Sequence, residues 1–109
     1  MQEITVKELK EKMDAGEDFQ LIDVRQPNEW EIAKIEGAKL IPLGEIVNRM
    51  DELDDSKEIV MQCKSGGRSA RAMMMLEQAG YKGEMKNLVG GIGAWSAEID
   101  PNVPQYNLH

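Results

Sequence analysis

The chain has 109 residues, 41% apolar and 30% charged, with a formal net charge of −7, one cysteine and one histidine. That length fits one domain around a single core, and the apolar content excludes a disordered chain. The negative charge argues against nucleic acid or an anionic membrane surface as partner. The lack of a long apolar run argues against a membrane span, and a single histidine leaves no ligand set for a metal.

Gln2-Glu3-Ile4 reads as a short strand. Thr5 follows as an N-cap with Glu8 three residues on, a capping box, and Val6, Leu9 and Met13 recur at helical spacing until Gly16. Phe19 to Val24 is a second strand; Pro27 breaks it, and Asn28 is expected to cap a short helix around Glu29-Trp30-Glu31-Ile32. A third strand, Ala38 to Ile41, lies between Gly37 and Pro42. Leu43, Ile46, Val47 and Met50 then recur at the spacing of a helix with one buried face, and Asp51 to Ser56 is a polar connection. Glu58 to Gln62 is the fourth strand. A helix is expected from about Ser69 to Ala79, with Gly80 just past its end, and a fifth strand near Glu84 to Leu88. Gly90-Gly91 reads as a tight turn into a last short helix that Pro101 ends, and residues 101–109, His109 included, are expected to be a loosely held, solvated tail of this one domain.

Strands alternate with helices, which predicts the α/β class: a five-stranded, mostly parallel sheet flanked by helices on both faces. Ligands of such sheets bind beyond the carboxyl ends of strands. Cys63 stands at one such end, and Asp23 and Arg25 stand at another. Met73-Met74-Met75 is core packing, because consecutive helical residues point in different directions, and Trp30 and Trp95 read as packing anchors.

A lone cysteine is most often a small buried hydrophobe. Here Cys63 opens the segment Cys63-Lys64-Ser65-Gly66-Gly67-Arg68-Ser69, whose glycines, serine and cations make a poor buried strand and a good exposed turn. Unpaired N–H groups of such a loop, and of the helix it feeds, converge on whatever sits inside it. The helix dipole with Lys64 and Arg68 is expected to lower an exposed Cys63 thiol below its ordinary pKa of about 8.5. The spacing Cys-x4-Arg is one residue shorter than the Cys-x5-Arg cradle of cysteine-dependent phosphatases. The smaller ring has less room for a tetrahedral oxyanion and favours one extra sulfur on Cys63, a persulfide. With one cysteine there is no internal disulfide, and Met1-Gln2-Glu3 does not open a signal peptide, so a cytoplasmic protein is expected.

Four segments in order, Leu21-Ile22-Asp23-Val24-Arg25, Glu29 to Ala38, Cys63 to Arg68, and Gly90-Gly91-Ile92-Gly93-Ala94-Trp95, resemble the single-domain rhodanese family of sulfurtransferases over nearly the whole chain. The run Cys63 to Ala70, with Asp100-Pro101 and Val103-Pro104-Gln105-Tyr106, is most similar to the rhodanese domain at the C-terminus of adenylyltransferases that activate ubiquitin-like sulfur carriers. That family often carries a histidine and a proline before Gly37-Ala38, where Lys34 and Glu36 stand here, a departure expected to affect structure rather than activity.

The resemblance implies a rhodanese-like fold and a thiosulfate sulfurtransferase that works without a cofactor. Cys63 would take the outer sulfur of a donor and pass it from a persulfide to a thiol, cyanide or a protein. The N–H groups of Lys64 to Ser69 (Lys64, Ser65, Gly66, Gly67, Arg68, Ser69) would hold the persulfide, Lys64 and Arg68 would hold the donor's anionic group, and Ser69 would cap the helix. Asp23 and Arg25 would support the loop. The implied partners are small sulfur-containing anions and a sulfur-carrier or thiol protein, with the chain a monomer. Two other readings stay open: a non-catalytic binding or regulatory module, and a phosphatase or arsenate reductase of the same fold, against which the loop length speaks. A redox sensor would lack a resolving cysteine within the chain.

Overall fold

In the computed structural model, which describes residues 1–107, five strands form one sheet: β1 (Glu3–Ile4), β2 (Gln20–Asp23), β3 (Lys39–Leu40), β4 (Ile59–Gln62) and β5 (Met85–Leu88). The helices are α1 (Val6–Asp14), α2 (Pro27–Ile32), α3 (Gly67–Gln78) and α4 (Gly91–Glu98). The strand order is β1-β5-β4-β2-β3, and every registered pair is parallel. All four residues of β4 are buried, which requires cover on both faces of the sheet. Ile59, Met61 and Cys63 pack on one side with Ala72, Met73 and Leu76 of α3. Val60 packs on the other with Leu9 of α1 and with Ile92 and Trp95 of α4.

The topology places the site. After β2 the chain moves outward to β3, and after β4 it moves outward in the opposite direction to β5. The crevice between the carboxyl ends of β2 and β4 is therefore the topological switch point, flanked by the segment that starts at Val24 and by the Cys63 loop. Asp23 and Gln62 are direct neighbours there.

Local structure differs from the sequence expectations in four places. Gln26, not Asn28, precedes α2; its N–H donates to Glu29 Oε1 at 3.1 Å, and Pro27 takes the first turn, where its missing donor costs nothing. The helix expected over Leu43 to Met50 is replaced by two 3-10 turns, Leu43–Glu45 and Met50–Glu52. Eight residues starting after Pro42 and containing Gly44 are too short and too weak in propensity to sustain an α-helix, yet Ile46 is still fully buried. Helix α3 starts at Gly67, two residues early, because Gly66 adopts φ +115° and its carbonyl already accepts from Ala70. Ser69 is thus in the first turn and not the cap.

The segment after Pro101, expected to be loose, is docked as far as the structure describes it. Ser96 Oγ donates to the Val103 carbonyl, Val103 is buried, and Tyr106 packs half-buried against the core on the α4 side. His109 lies outside the described residues. Among the described residues no helix is long and apolar enough to cross a membrane.

The double glycine does more than turn the chain. Gly90 and Gly91 have φ +78° and +56°, and a Cβ on Gly91 would collide with the Cys63 carbonyl oxygen and come 2.7 Å from that of Lys64. Gly91→Ala is expected to cost at least about 2 kcal/mol in chemical denaturation, while Gly44→Ala, with open space around it and no positive φ, stays within about 1 kcal/mol. Equal effects at the two positions would contradict the close approach of α4 to the Cys63 loop.

Candidate active site

The Cys63 loop is oriented from outside. The N–H of Ile92 donates to the Cys63 carbonyl at 2.9 Å, and the N–H of Gly93 donates to that of Lys64 at 3.0 Å. These are first-turn N–H groups of α4, which have no partner within their own helix. In a planar trans peptide the next N–H points opposite to the carbonyl, so pinning the Lys64 carbonyl on α4 turns the Ser65 N–H toward the sulfur. One step on, the Gly66 N–H donates to Sγ at 3.1 Å. The Gly66 carbonyl accepts from Asn87 Nδ2 at 3.1 Å on the far side, and the Ser69 hydroxyl, with one proton to give, lies 3.2 Å from it. Ser69 Oγ also lies 3.4 Å from Sγ and 2.5 Å from Asn87 Oδ1.

Cys63 is not the exposed thiol expected; it is 1% exposed, at the edge of the α3-side core. Burial pushes its pKa up, but the Ser69 hydroxyl and the N–H groups of Ser69, Gly66 and Ser65 outweigh that and leave the thiol below its ordinary range. The sequence expectation gave this work to Lys64, Arg68 and the helix dipole. Backbone and hydroxyl donors do most of it.

Across the crevice, Asp23 and Arg25 are fully buried and pair with each other through contacts of 2.6 to 3.0 Å. Arg25 also donates to the Ala33 carbonyl at 2.6 Å and to the Tyr106 hydroxyl at 2.9 Å. A buried ion pair with every donor used ties the exit of β2 to the segment after α2 and to the tail. Neither side chain reaches into the loop.

Arg68, expected to meet a donor anion, is held by a carboxylate instead. Its Nη1 and Nη2 lie 2.5 and 2.9 Å from the two oxygens of Glu29, whose side chain is 7% exposed. The Arg68 guanidinium, helped by the Tyr106 hydroxyl and the Gln26 N–H, outweighs burial and holds the Glu29 carboxyl at about 2. The Tyr106 hydroxyl donates to Glu29 Oε2 at 2.6 Å, and the Lys64 ammonium sits 5.0 Å from the centre of the Tyr106 ring. A cavity of about 60 Å³ opens between Lys64, Ile92, Gly93, Pro104, Gln105 and Tyr106. A larger cleft of about 430 Å³, lined by Asp51, Asp54 and Tyr81, lies at the amino ends of the strands, beside Gln20, and is remote from Cys63.

Sequence reasoning assigned no role to Glu29, Asn87 or Tyr106. Asn87 carries a faint signal, a polar residue at a buried position of a strand between Met85 and Leu88. Glu29 and Tyr106 stood inside recognised segments, but a partner 39 or 77 residues away leaves no trace in local spacing. Among the described residues no group of metal-ligating side chains comes together.

Residues 5–98 match the family model described as the rhodanese-like domain. The Bacillus subtilis protein named "Putative sulfurtransferase YtwF" is 40% identical over 101 residues, covering 93% of this chain and 96% of that protein. The "Probable adenylyltransferase/sulfurtransferase MoeZ" of Mycobacterium tuberculosis is 39% identical over 106 residues, 94% of this chain but 26% of that protein, so the chain spans about a quarter of that relative's length. Among solved structures, a rhodanese-like domain protein from Staphylococcus aureus superposes with a TM-score of 0.82 at 30% identity, covering 98% of this chain and 100% of that one.

If hydrogen bonds set the charge of Cys63, its thiolate absorbance followed against pH has a midpoint below that of an ordinary thiol. Removing a donor to the anion raises that midpoint, so Ser69→Ala should move it up. A midpoint that Ser69→Ala leaves in place contradicts the assignment.

Proposed function

The chain belongs to the rhodanese-like domain family, and on that premise we propose that it is a sulfurtransferase that carries sulfur as a Cys63 persulfide. The family match and the relatives named as sulfurtransferases support sulfur transfer as the general activity. The observation that carries the finer reading is the sulfur of Cys63 itself, buried and met by the Gly66 N–H at 3.1 Å, with the N–H groups of Ser65 and Ser69 also favouring its anion. That arrangement favours the anion over the thiol and offers the same donors to an anionic outer sulfur.

The chemistry is two displacements. The Cys63 thiolate attacks the outer sulfur of a donor such as thiosulfate, the sulfur–sulfur bond of the donor breaks, and sulfite leaves with the electron pair. An acceptor thiolate or cyanide then attacks the outer sulfur of the persulfide and releases the Cys63 thiolate. No cofactor is required, because each step exchanges one sulfur–sulfur bond for another bond to the same sulfur. Lys64 holds the donor at the rim, the loop from Lys64 to Ser69 holds the persulfide, and Asp23 and Arg25 hold the wall opposite. The acceptor is a small thiol, cyanide, or a thiol or sulfur-carrier protein, the last in keeping with the relative named as both adenylyltransferase and sulfurtransferase. The protein acts as a cytoplasmic monomer.

A phosphatase or arsenate reductase is disfavoured by the same geometry. Such enzymes need a guanidinium over the sulfur to receive an oxyanion, and here Arg68 is bound to Glu29. A non-catalytic module has no use for a buried thiol whose pKa is lowered by dedicated donors.

Incubation with thiosulfate should add the mass of one sulfur atom to the intact protein, and cyanide or dithiothreitol should remove it. Cys63→Ser should take up none. Failure of thiosulfate and of every other sulfane donor to add sulfur would overturn the proposal.

A further inference from the structure

We propose that Glu29 is a specificity-determining residue of this site: by occupying Arg68 it leaves the Cys63 loop with no net charge for a doubly charged donor and favours singly charged sulfane donors of the form R–SO2–S⁻ or R–S–S⁻. The inference rests on the persulfide reading above and concerns which donor supplies the sulfur.

The pair is built to stay closed. Both terminal nitrogens of the Arg68 guanidinium are engaged by Glu29, and the carboxylate they meet is nearly buried. The Tyr106 hydroxyl and the Gln26 N–H fix that carboxylate from its other sides. Withdrawing Arg68 to meet a donor would leave a buried carboxylate without its cation, which is strongly unfavourable. Protonation does not release it either, since the Arg68 guanidinium holds the Glu29 carboxyl at about 2, far below neutral pH.

The charges around the sulfur then balance. Arg25 is matched by Asp23 and Arg68 by Glu29, which leaves Lys64, over the Tyr106 ring, as the one loop cation to set against the charge of the Cys63 thiolate. The chain as a whole carries −7. A dianion such as thiosulfate gains little at the rim and is repelled by the rest of the molecule, whereas a monoanion loses less. Beside Lys64 the structure also provides room of another kind. The cavity of about 60 Å³ has Ile92, Gly93, Pro104 and the Tyr106 ring in its walls beside Lys64 and Gln105, which gives room for a small carbon substituent next to the anionic group that Lys64 meets.

Methanethiosulfonate, CH3–SO2–S⁻, tests this directly, because it is thiosulfate with one oxygen anion replaced by a methyl group. The Cys63 thiolate attacks its outer sulfur, the sulfur–sulfur bond breaks, and methanesulfinate leaves with the electron pair. Charge and sulfur oxidation level balance as they do with thiosulfate and sulfite, so no oxidant or reductant is needed.

The measurement is the second-order rate of sulfur addition to Cys63, read by intact mass at short times for both donors over a range of concentration. Glu29→Gln frees the Arg68 charge and should move the ratio of the two rates toward thiosulfate by about tenfold, through donor binding rather than the saturated rate, with the shift shrinking as salt is raised. Arg68→Gln leaves Glu29 unpaired and should move the ratio the other way by a similar factor. The double variant Glu29→Gln with Arg68→Gln restores neutrality without a buried charge and should return the ratio to within about threefold of the parent, and because the two single variants shift it in opposite directions, either one that folds decides the test. Loading by both donors at a ratio that neither Glu29→Gln nor Arg68→Gln moves by more than about threefold overturns the role of Glu29 alone. Loading of the parent by neither donor overturns the sulfur-transfer reading and this inference with it.

Discussion

Two hydrogen bonds from the first turn of α4 organise the site. The N–H groups of Ile92 and Gly93 take the carbonyls of Cys63 and Lys64, and because peptide groups are planar, fixing those carbonyls fixes where the following N–H groups point. The one after the Lys64 carbonyl, the Ser65 N–H, is turned toward the sulfur. The approach is so close that position 91 must be glycine, which is why the Gly90-Gly91 pair belongs to the active loop although it lies 27 residues beyond Cys63 in the chain. Asn87 completes the clamp from β5 by holding the Gly66 carbonyl. The end of β5 and the start of α4 thus act as one brace on a loop that has few apolar contacts of its own.

What the brace makes possible is a buried sulfur that prefers to be charged. Burial alone would favour the neutral thiol, and the loop reverses that with oriented dipoles rather than with full charges. The full charges nearby are matched in pairs, Asp23 with Arg25 and Glu29 with Arg68, and these pairs connect β2, α2, α3 and the tail around the crevice. Tyr106 joins the two pairs, receiving a hydrogen bond from Arg25 and giving one to Glu29. The segment that ends the described chain is therefore part of the wall of the site.

The fold was legible in the sequence because its signals are local. The Thr5 to Glu8 capping box, the apolar run before Cys63 and the glycines at helix ends each act within a few residues, and the alternation of strand and helix leaves few topologies. The Cys63 loop was legible for the same reason, since its glycines and cations are consecutive. The errors at Asn28, Arg68 and the tail came where a tertiary contact overrode a local preference. Asn28 looked like a cap, but Glu29 reaches back to Gln26 and forward to Arg68. Arg68 looked free to bind an anion until α2 supplied its carboxylate. The tail looked loose because Val103 and Tyr106 gain their burial from α4 and from a pair of charges that spacing could not foresee.

The central claim is that the loop, held by α4, is a cradle for a second sulfur on Cys63. A crystal structure of the protein after reaction with a sulfane donor tests it most directly. The account predicts a sulfur bonded to Cys63 Sγ inside the loop, accepting hydrogen bonds from loop N–H groups, with Ile92 and Gly93 still on the Cys63 and Lys64 carbonyls and Arg68 still on Glu29. A sulfur turned away from the loop without N–H contacts, or a loop that leaves α4 to accommodate it, would contradict the account.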